Sequence, residues 1–235
     1  MAYARARVWQ NEPARRLQNV FDSYFSGDEL RRVLDAGAGY ELPLDIPLNV
    51  HLTALDISEA ALAKNDNADA TIVGDLQTPR FPAGHFDAVI CWWVLEHIPR
   101  PEAAISNMAA ALRQGGLLII AVPYLWGMKA LVTKLTPYAF HVWVARKSDP
   151  EAGGPGTSPY PTYLRRSLSP HGLQRTAAAH GLRPFYVDRY STEPEAILPR
   201  PLRLLCKGIG AAVRLATFGR YDPLLSEYLV VFQKD

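Results

Sequence analysis

The amino-acid sequence predicts an α/β fold with a doubly wound, largely parallel sheet, and two observations support that prediction. First, short runs rich in Val, Ile and Leu alternate with helical stretches over residues 31–123. Second, the runs are apolar at most positions, as buried parallel strands are, because helices cover both faces of such a sheet. Strands joined through helices make right-handed crossovers, which place them side by side in one sheet.

The predicted core contains five strands and two helices. The strands are RRVLDA, HLTALD, ATIVGD, FDAVICW and LLIIAVP, which begin at residues 31, 51, 70, 86 and 117. A first helix runs from Ser58 to Lys64, and the Ser58 side chain can cap it. A second helix runs from Pro101 to Arg113, since proline fits a first helical turn and Gly115-Gly116 ends the pattern.

Two long segments interrupt this alternation in the second half of the chain. Residues 124–168 are rich in aromatic side chains, and residues 191–226 are too long for a plain loop, so we expect a helix there. Between them, a helix capped by Ser169 precedes the strand LRPFYVDRY, and EYLVVFQK is the closing strand. Both segments leave the carboxyl ends of strands, where parallel sheets bind ligands, so they are predicted to form a lid.

Composition limits the class of protein. Of 235 residues, 49% are apolar and 20% are charged, as in soluble globular domains. We predict one domain over residues 1–235, with an N-terminal helical segment at 1–30, a core at 31–123 and the two lid insertions. No apolar run is long enough to span a membrane and no secretory signal is evident, so a cytoplasmic location is expected. Two cysteines exclude a disulfide scaffold, and a net charge of +2 argues little for nucleic acid.

Residues that can carry chemistry cluster where the first three strands end. Residues 33–39, VLDAGAG, turn sharply after a strand, and glycines there let a ligand approach the backbone. A dinucleotide fingerprint would need glycine at position 42, which is Leu42. Asp56 ends the second strand and could accept hydrogen bonds from ribose hydroxyls, and Asp75 follows the third and could accept from an adenine amine. Each aspartate could instead cap a helix or a turn.

These pieces together resemble the class I S-adenosylmethionine-dependent methyltransferases, in particular a small-molecule branch similar to quinone-biosynthesis enzymes. LDAGAG, ALDIS and the stretch from VGDLQTPR to LLIIAVP match that family in order and spacing over residues 31–123. The resemblance implies a Rossmann-like sheet of seven strands in the order 3-2-1-4-5-7-6, with strand 7 antiparallel and lid insertions after strands 5 and 6. It also implies S-adenosyl-L-methionine as cofactor and S-adenosyl-L-homocysteine as product.

The resemblance also assigns cofactor-binding residues. Residues of the glycine loop would lie along the methionine part of the cofactor, and Asp56 would hold the ribose. Asp75 and Leu76 would hold the adenine, and residues 91–93 would line the pocket beneath the sulfonium. The full set is Asp35, Ala36, Gly37, Gly39, Asp56, Ile57, Asp75, Leu76, Cys91, Trp92 and Trp93.

The chain departs from that family near the glycine loop and at a metal motif. The helix that usually follows the loop is replaced by YELPLDIPLN, whose two prolines leave at most a turn or two. Some quinone-type relatives bind a divalent ion through Glu-x3-Glu-His, and Glu96 and His97 match its last two positions. Trp92 stands at the first position, so no metal is predicted.

Methyl transfer to a hydroxyl needs alignment of the two reactants, exclusion of water and a base for the hydroxyl proton. His97 and His141 are the candidate catalytic residues, since His97 follows the fourth strand and His141 lies in the aromatic insertion. The alternatives are that Glu96 and His97 organise the turn after the strand, and that His141 simply packs among aromatic side chains.

The sequence thus predicts an S-adenosylmethionine-dependent methyltransferase for a small, largely apolar or aromatic acceptor, with oxygen in a secondary-metabolite or quinone-like molecule as the favoured target. The alternatives are an RNA or protein methyltransferase and a non-catalytic S-adenosylmethionine-binding module. Residues 197–220 form a basic amphipathic helix pattern, which could make a peripheral membrane contact, hold an acidic group of the substrate, or pack its apolar face on the lid.

Overall fold

The computed structural model describes residues 3–5, 12–27, 29–39, 44–78, 81–146, 150, 160–191 and 200–235. The strands in those ranges are β1 (Tyr3–Arg5), β2 (Arg31–Ala36), β3 (Ile46–Pro47), β4 (Val50–Asp56), β5 (Ala70–Val73), β6 (Phe86–Trp92), β7 (Leu112–Pro123), β8 (Leu182–Tyr190) and β9 (Glu227–Lys234). The α-helices are α1 (Glu12–Tyr24), α2 (Glu59–Leu62), α3 (Pro101–Ala111), α4 (Met128–Leu135), α5 (Tyr138–Ala145), α6 (Pro170–Ala178) and α7 (Arg200–Ala216). Short 3-10 turns cover Leu95–His97 and Arg166–Leu168.

Seven of these strands form one sheet in the order β5-β4-β2-β6-β7-β9-β8, while β1 pairs with β3 in a separate small sheet. The strands from β5 to β7 are parallel, whereas β9 runs antiparallel to both β7 and β8. Counted along the chain without β1 and β3, this order is 3-2-1-4-5-7-6 with strand 7 antiparallel. The predicted α/β fold class and topology are therefore confirmed.

Alternate residues of the central strands face two apolar layers. Leu34 of β2 lies in a buried cluster with Ile105 of α3 and Leu173 of α6. Val33, the preceding residue, belongs to a second cluster on the other face, which includes Phe21 of α1. Each large side chain buried in this way contributes roughly 1.5–3 kcal/mol. Helices thus cover both faces of the sheet, which explains why its strands are apolar on both sides.

Serine caps fix the starts of two helices, as the sequence predicted. The Ser58 hydroxyl accepts a hydrogen bond from the Ala61 N–H at 3.2 Å, and the Ser169 hydroxyl accepts one from the Gly172 N–H at 3.1 Å. Such caps satisfy backbone donors that have no partner within the helix, and each stabilises its helix by about 1 kcal/mol. The cap at Ser58 lies two residues beyond β4 and so begins α2 at the carboxyl edge of the sheet.

Several predicted boundaries differ from the structure. Helix α2 covers Glu59–Leu62 rather than Ser58 to Lys64, and β7 begins at Leu112 rather than at residue 117. Helix α3 ends at Ala111 rather than Arg113, because Leu112 already begins β7. Within the predicted N-terminal helical segment, residues 3–5 form a strand, and the helix covers Glu12–Tyr24. That strand pairs with β3, which lies in the stretch where the resemblance to the methyltransferases implied a helix after the glycine loop. Residues 40–43 of that loop lie outside the described ranges.

Both insertions leave the carboxyl edge of the sheet. The first begins after β7, and its Tyr124 N–H donates to the Ser226 carbonyl at 2.7 Å. The second ends at β9 and contains α7, the helix expected there. The Met128 N–H also donates to the Pro223 carbonyl at 2.7 Å, so the two insertions touch. None of the described helices is long and apolar enough to cross a membrane, and residues 151–159 and 192–199 are outside the described ranges.

Candidate active site

Parallel register brings the ends of β2, β4 and β5 to one edge of the sheet. Asp35 pairs with Ala54, and Asp56 pairs with Val73. Because side chains alternate along a strand, Asp35 and Asp56 project from the same face. Asp75 follows β5 by two residues at this edge. The three predicted carboxylates therefore belong to three adjacent strand ends.

The two glycines of the loop after β2 have different structural roles. Gly37 has a φ of +81°, and a Cβ on it would lie 2.4 Å from Val94 Cγ2, so only glycine fits. Gly39 has a φ of +51°, and a Cβ there would meet none of the described atoms within 4 Å. Gly37 therefore allows close packing on the chain after β6, while the described part of the chain leaves space beside Gly39 where a ligand can approach the backbone.

Asp56 holds this loop in place. Its Oδ2 accepts a hydrogen bond from the Gly39 N–H at 2.9 Å, and its Oδ1 accepts one from the Ser58 N–H at 2.8 Å. A carboxylate offers about four acceptor positions on its two oxygens, so capacity for hydroxyl donors remains. The Asn65 amide supports the loop further by donating to the Gly39 carbonyl at 3.0 Å. Asp56 thus combines a structural role with the acceptor groups that a ribose requires.

Burial changes the acid–base chemistry of Asp35. Its side chain is only 3% exposed. Burial, assisted by the nearby charge of Asp56, raises the pKa of Asp35 to about 8. Cys91, which is also completely buried, has a pKa well above its usual range, chiefly because of burial and then because of Glu96 and Asp35. At neutral pH the Asp35 carboxyl is therefore mainly protonated.

The loop after β5 is ordered around Asp75. Its carboxylate accepts hydrogen bonds from the Gln77 N–H at 2.8 Å and from the Gln77 side-chain amide at 3.1 Å. The Asn107 amide of α3 donates to the Leu76 carbonyl at 2.9 Å, which ties this loop to the core. Leu76 itself is buried in the α3-side cluster. Asp75 and Leu76, which the resemblance assigns to the adenine, are thus held by neighbours on both sides.

The segment after β6 connects the glycine loop with the lid. Trp93 has a φ of +55°, and its indole N–H donates to Glu227 Oε2 at 3.0 Å. The other oxygen, Glu227 Oε1, accepts from the Lys129 ammonium at 2.6 Å. Glu227 is fully buried at the start of β9. One carboxylate thus fastens β9, α4 and the chain after β6 together, at the edge where the lid begins.

A second buried acid lies beside that pair. Glu96 has a pKa of about 8, raised mainly by burial and also by Glu227, while Lys129 acts in the opposite direction. Its Oε2 is buried and has no hydrogen-bond partner among the described residues. Trp92 Nε1 is also buried and has no hydrogen-bond partner among the described residues. Two polar atoms without partners therefore lie along the segment that joins the glycine loop to the lid.

The two candidate catalytic histidines line one cavity of about 260 Å³. His97 comes from the 3-10 turn after β6, and His141 comes from α5, forty-four positions later in the chain. Hydroxyl and aromatic side chains complete the wall: Thr133, Thr136, Tyr138, Tyr160 and Thr162. The cavity therefore lies between the sheet edge and the aromatic insertion, which supplies most of its lining.

Hydrogen bonds define the proton positions on these histidines. His97 Nδ1 lies 2.8 Å from the Pro161 carbonyl, which can only accept, so Nδ1 donates and Nε2 carries the lone pair. Burial lowers the pKa of His97, although the bond to Pro161 acts in the opposite direction. His141 Nε2 lies 2.9 Å from the Thr136 hydroxyl and 3.3 Å from the Thr136 carbonyl. His97 is therefore a neutral imidazole with a free acceptor nitrogen at neutral pH.

The predicted site residues are not all equally placed for ligand contact. The glycine loop, Asp56, Asp75 and the two tryptophans lie along the carboxyl edge. Ala36 and Cys91 are completely buried in the core, whereas the Ile57 side chain is 75% exposed beyond β4. Among the described residues, no group of three or more His, Cys, Asp or Glu side chains could hold a metal ion.

Sequence reasoning missed several residues of the site. Glu227, Lys129 and Tyr160 were not identified, and the three threonines of the cavity wall were not considered. Lys129 and Glu227 are ninety-eight positions apart, so no local pattern links them. The one available signal was an acid at the first position of an otherwise apolar closing strand.

Comparisons with known proteins agree with this geometry. Residues 34–120 match the family described as a methyltransferase domain. A ubiquinone biosynthesis O-methyltransferase from Aromatoleum aromaticum is 27% identical over 132 residues, which are 48% of this chain and 56% of that protein. A relative of the same name from Marinobacter nauticus is 31% identical over 39% of this chain and 43% of its own. The chain thus spans about half the length of the curated relatives it matches.

Solved structures share the fold at low sequence identity. A SAM-dependent methyltransferase from Archaeoglobus fulgidus has a TM-score of 0.55 at 16% identity, over 94% of this chain and 93% of its own. The glycine loop, the strand-end acids and the sheet order occur together here, and the matched residues 34–120 contain the loop and both later acids. Residues 34–120 therefore match a methyltransferase domain, and the described fold is shared with solved SAM-dependent methyltransferases.

Proposed function

We propose that the protein transfers a methyl group from S-adenosylmethionine to a hydroxyl of a small, largely apolar acceptor that binds in the His97–His141 cavity. One observation carries the proposal. Both histidines, although distant in sequence, line one cavity, and the segment 92–97 connects that cavity to the glycine loop. The favoured acceptor is an aromatic or quinol-like hydroxyl compound.

The residues at the sheet edge fit the cofactor. The described part of the chain leaves space beside the Gly39 backbone, and Asp56 retains acceptor positions for two ribose hydroxyls. Asp75 and Leu76 would hold the adenine, and the chain at Trp92 and Trp93 would lie beneath the sulfonium. The indole N–H of Trp92 is buried and has no partner among the described residues, and such a donor is costly in a folded protein unless a bound ligand accepts from it.

His97 would accept the acceptor's proton at Nε2. When bound, S-adenosylmethionine would supply the methyl carbon of its sulfonium to the acceptor oxygen, with S-adenosylhomocysteine as the leaving group. The hydroxyl proton passes to His97, whose Nδ1–H remains bonded to the Pro161 carbonyl and keeps the ring oriented. The pKa of His97, lowered by burial, keeps Nε2 available for that proton at neutral pH.

The cavity wall supports an aromatic acceptor that carries polar groups of its own. Tyr138 and Tyr160 provide aromatic faces, and three threonine hydroxyls and two imidazoles provide hydrogen bonds. Convergent polar groups of this kind fix the orientation of a small molecule in its pocket. The curated relatives are named ubiquinone biosynthesis O-methyltransferases, and that name supports oxygen as the target atom.

The test is to supply S-adenosylmethionine with a panel of phenols and quinols and to measure S-adenosylhomocysteine formation. We expect His97→Gln to lower kcat by about 10²- to 10⁴-fold with little change in cofactor affinity. The matched control is His171→Gln, because His171 is exposed on α6. Equal activity of His97→Gln and wild type would contradict the assignment of the base.

A non-catalytic binding module is the second candidate function. The [4+2]-cyclase SpnF shares this fold with a TM-score of 0.56 at 15% identity, covering 98% of this chain and 87% of its own, so the fold alone does not establish methyl transfer. A non-catalytic module would bind both S-adenosylmethionine and S-adenosylhomocysteine in a calorimeter and form no product with any acceptor. Turnover restricted to RNA or protein substrates would instead favour the macromolecular alternative.

A further inference from the structure

Helix α7 contacts the rest of the protein along one narrow stripe. Gly210 is its buried residue among those described, and a Cβ there would lie 2.6 Å from the Leu224 side chain. Cys206 and Val213, which flank Gly210 at helical spacing, are half-buried. The helix is therefore attached through a close approach at a glycine, and most of its circumference faces away from the protein.

The side that faces away is apolar. Leu204, Leu205, Ile209 and Leu215 are all exposed, the last to 81%, and Phe218 just beyond the helix is 89% exposed. An amphipathic helix on a globular protein normally turns such residues towards the core. The packing of the apolar face on the lid, one of the three arrangements considered from the sequence, is not observed for these residues. Exposed apolar area of this kind marks a surface that binds another protein, a ligand or a membrane.

Positive charge borders the apolar side. Arg200, Lys207, Arg214 and Arg220 are exposed, and the sequence from residue 196 to residue 220 contains no acid. The first acid beyond it is Asp222, which lies 3.4 Å from Arg214. A helix with an exposed apolar side and a basic border has the two features that bind anionic lipid surfaces.

The apolar surface continues onto the first insertion. Leu131 and Leu135 of α4 and Trp143 of α5 are exposed. The Tyr221 hydroxyl, just after α7, donates to the Trp126 carbonyl just before α4. Both helices lie at the carboxyl edge, where α4 and α5 also line the cavity of His97. A surface that held α7 would therefore lie beside the helices that enclose the cavity.

We propose that α7 docks the protein peripherally on an anionic lipid bilayer, with its exposed leucines and Phe218 in the interface and its cations at the headgroups. A second copy of the chain fits this face less well, because a symmetric pair would bring two basic borders together without acids to balance them. Delivery of an apolar acceptor from the bilayer to the cavity is a further consequence, which rests on the function proposed above, whereas docking itself does not.

Vesicle flotation tests the proposal with the full chain. Phosphatidylcholine vesicles with phosphatidylglycerol should carry the protein, vesicles of phosphatidylcholine alone should carry at least tenfold less, and added salt should weaken the binding. The double variant Leu205→Asp/Leu215→Asp should lose at least tenfold in binding to the anionic vesicles. The matched control is Leu30→Asp, an exposed leucine that precedes β2 at the opposite edge of the sheet.

Two further measurements separate the outcomes. Each variant is titrated with S-adenosylhomocysteine, and unchanged affinity shows that the site is intact, so docking and cofactor binding are judged independently. Light scattering over a range of protein concentrations tests self-association. Absence of binding to anionic vesicles, undiminished binding by the double variant, or a dimer that the double variant abolishes would each overturn the proposal.

Discussion

Replacing Asp35 by asparagine tests how burial controls charge at the cofactor edge. The Asp35 carboxyl has a pKa of about 8 in the folded protein, against 3.8 for an ordinary aspartate. Between these values the folded chain holds a proton that the unfolded chain has lost, so the free energy of unfolding falls as the pH rises. Below about pH 4 both states are protonated, and above about pH 8 both are ionised, so the loss is confined to that window.

The size of the effect follows from that shift. One pKa unit corresponds to about 1.4 kcal/mol, so the wild-type protein should lose about 4 kcal/mol of stability through Asp35 between pH 5 and pH 8. Asparagine is nearly the same shape as the protonated acid and does not titrate. The Asp35→Asn variant should therefore become more stable relative to wild type as the pH rises through this range. Glu96, whose pKa is also raised to about 8, is present in both proteins and cancels in the difference.

Urea denaturation at a series of pH values measures the difference directly, through the midpoint and slope of each transition. The matched control is Asp66→Asn, the same replacement at an exposed position. The effect assigned to Asp35 is the part of the pH-dependent difference that Asp66→Asn does not reproduce. A constant difference across the range, or a variant that becomes less stable than wild type as the pH rises, would refute the reasoning.

Three other predictions concern the loop, the ribose and the base. Asp56→Ala should weaken S-adenosylhomocysteine binding by roughly ten- to a hundredfold in calorimetry, because charged acceptors for hydroxyls are worth about 1.5–3 kcal/mol; unchanged affinity would contradict the ribose assignment. Gly37→Ala should cost about 2–4 kcal/mol of stability, since φ is +81° and the new Cβ would meet Val94, and adding Val94→Ala should recover part of that loss. The acid limb of kcat/KM should lie below the value of about 6.5 for free imidazole, because burial lowers the pKa of His97, and a limb at higher pH would identify another base.

Much of the fold could be predicted because its signals are local. The strands β2 and β6 begin and end where the sequence predicted, since buried parallel strands are apolar throughout and polar or glycine residues bound them. The capping serines were equally visible. The pairing of β1 with β3 was not, because strands of three and two residues are too short to show a period. The end of α3 was misplaced because Leu112 suits a helix and a strand equally well.

The two halves of the candidate site differ in how much the sequence reveals. The half assigned to the cofactor is built from strand ends that follow one another along the chain, so a motif records it. The half proposed for the acceptor has His97 and His141 in the lining of one cavity and joins Lys129 to Glu227, across long separations. Those pairings depend on how the insertions pack over the edge, which no spacing in the sequence encodes. Both histidines were nevertheless predicted, because they are rare side chains in segments that topology places on that edge.

The protonation of the buried acids changes how the edge attracts a cationic donor. Counting residues suggests a strongly negative site, but burial keeps Asp35 and Glu96 mainly neutral below about pH 8. Asp56, on the strand next to that of Asp35, accepts hydrogen bonds from the backbone N–H groups of Gly39 and Ser58 on its two oxygens. A positive ligand beside Asp35 would favour the ionised carboxyl and so displace its proton. Cofactor binding should therefore be coupled to proton release at the first strand end, and the same carboxyl that lowers the stability of the empty protein at neutral pH would then contribute to holding the donor.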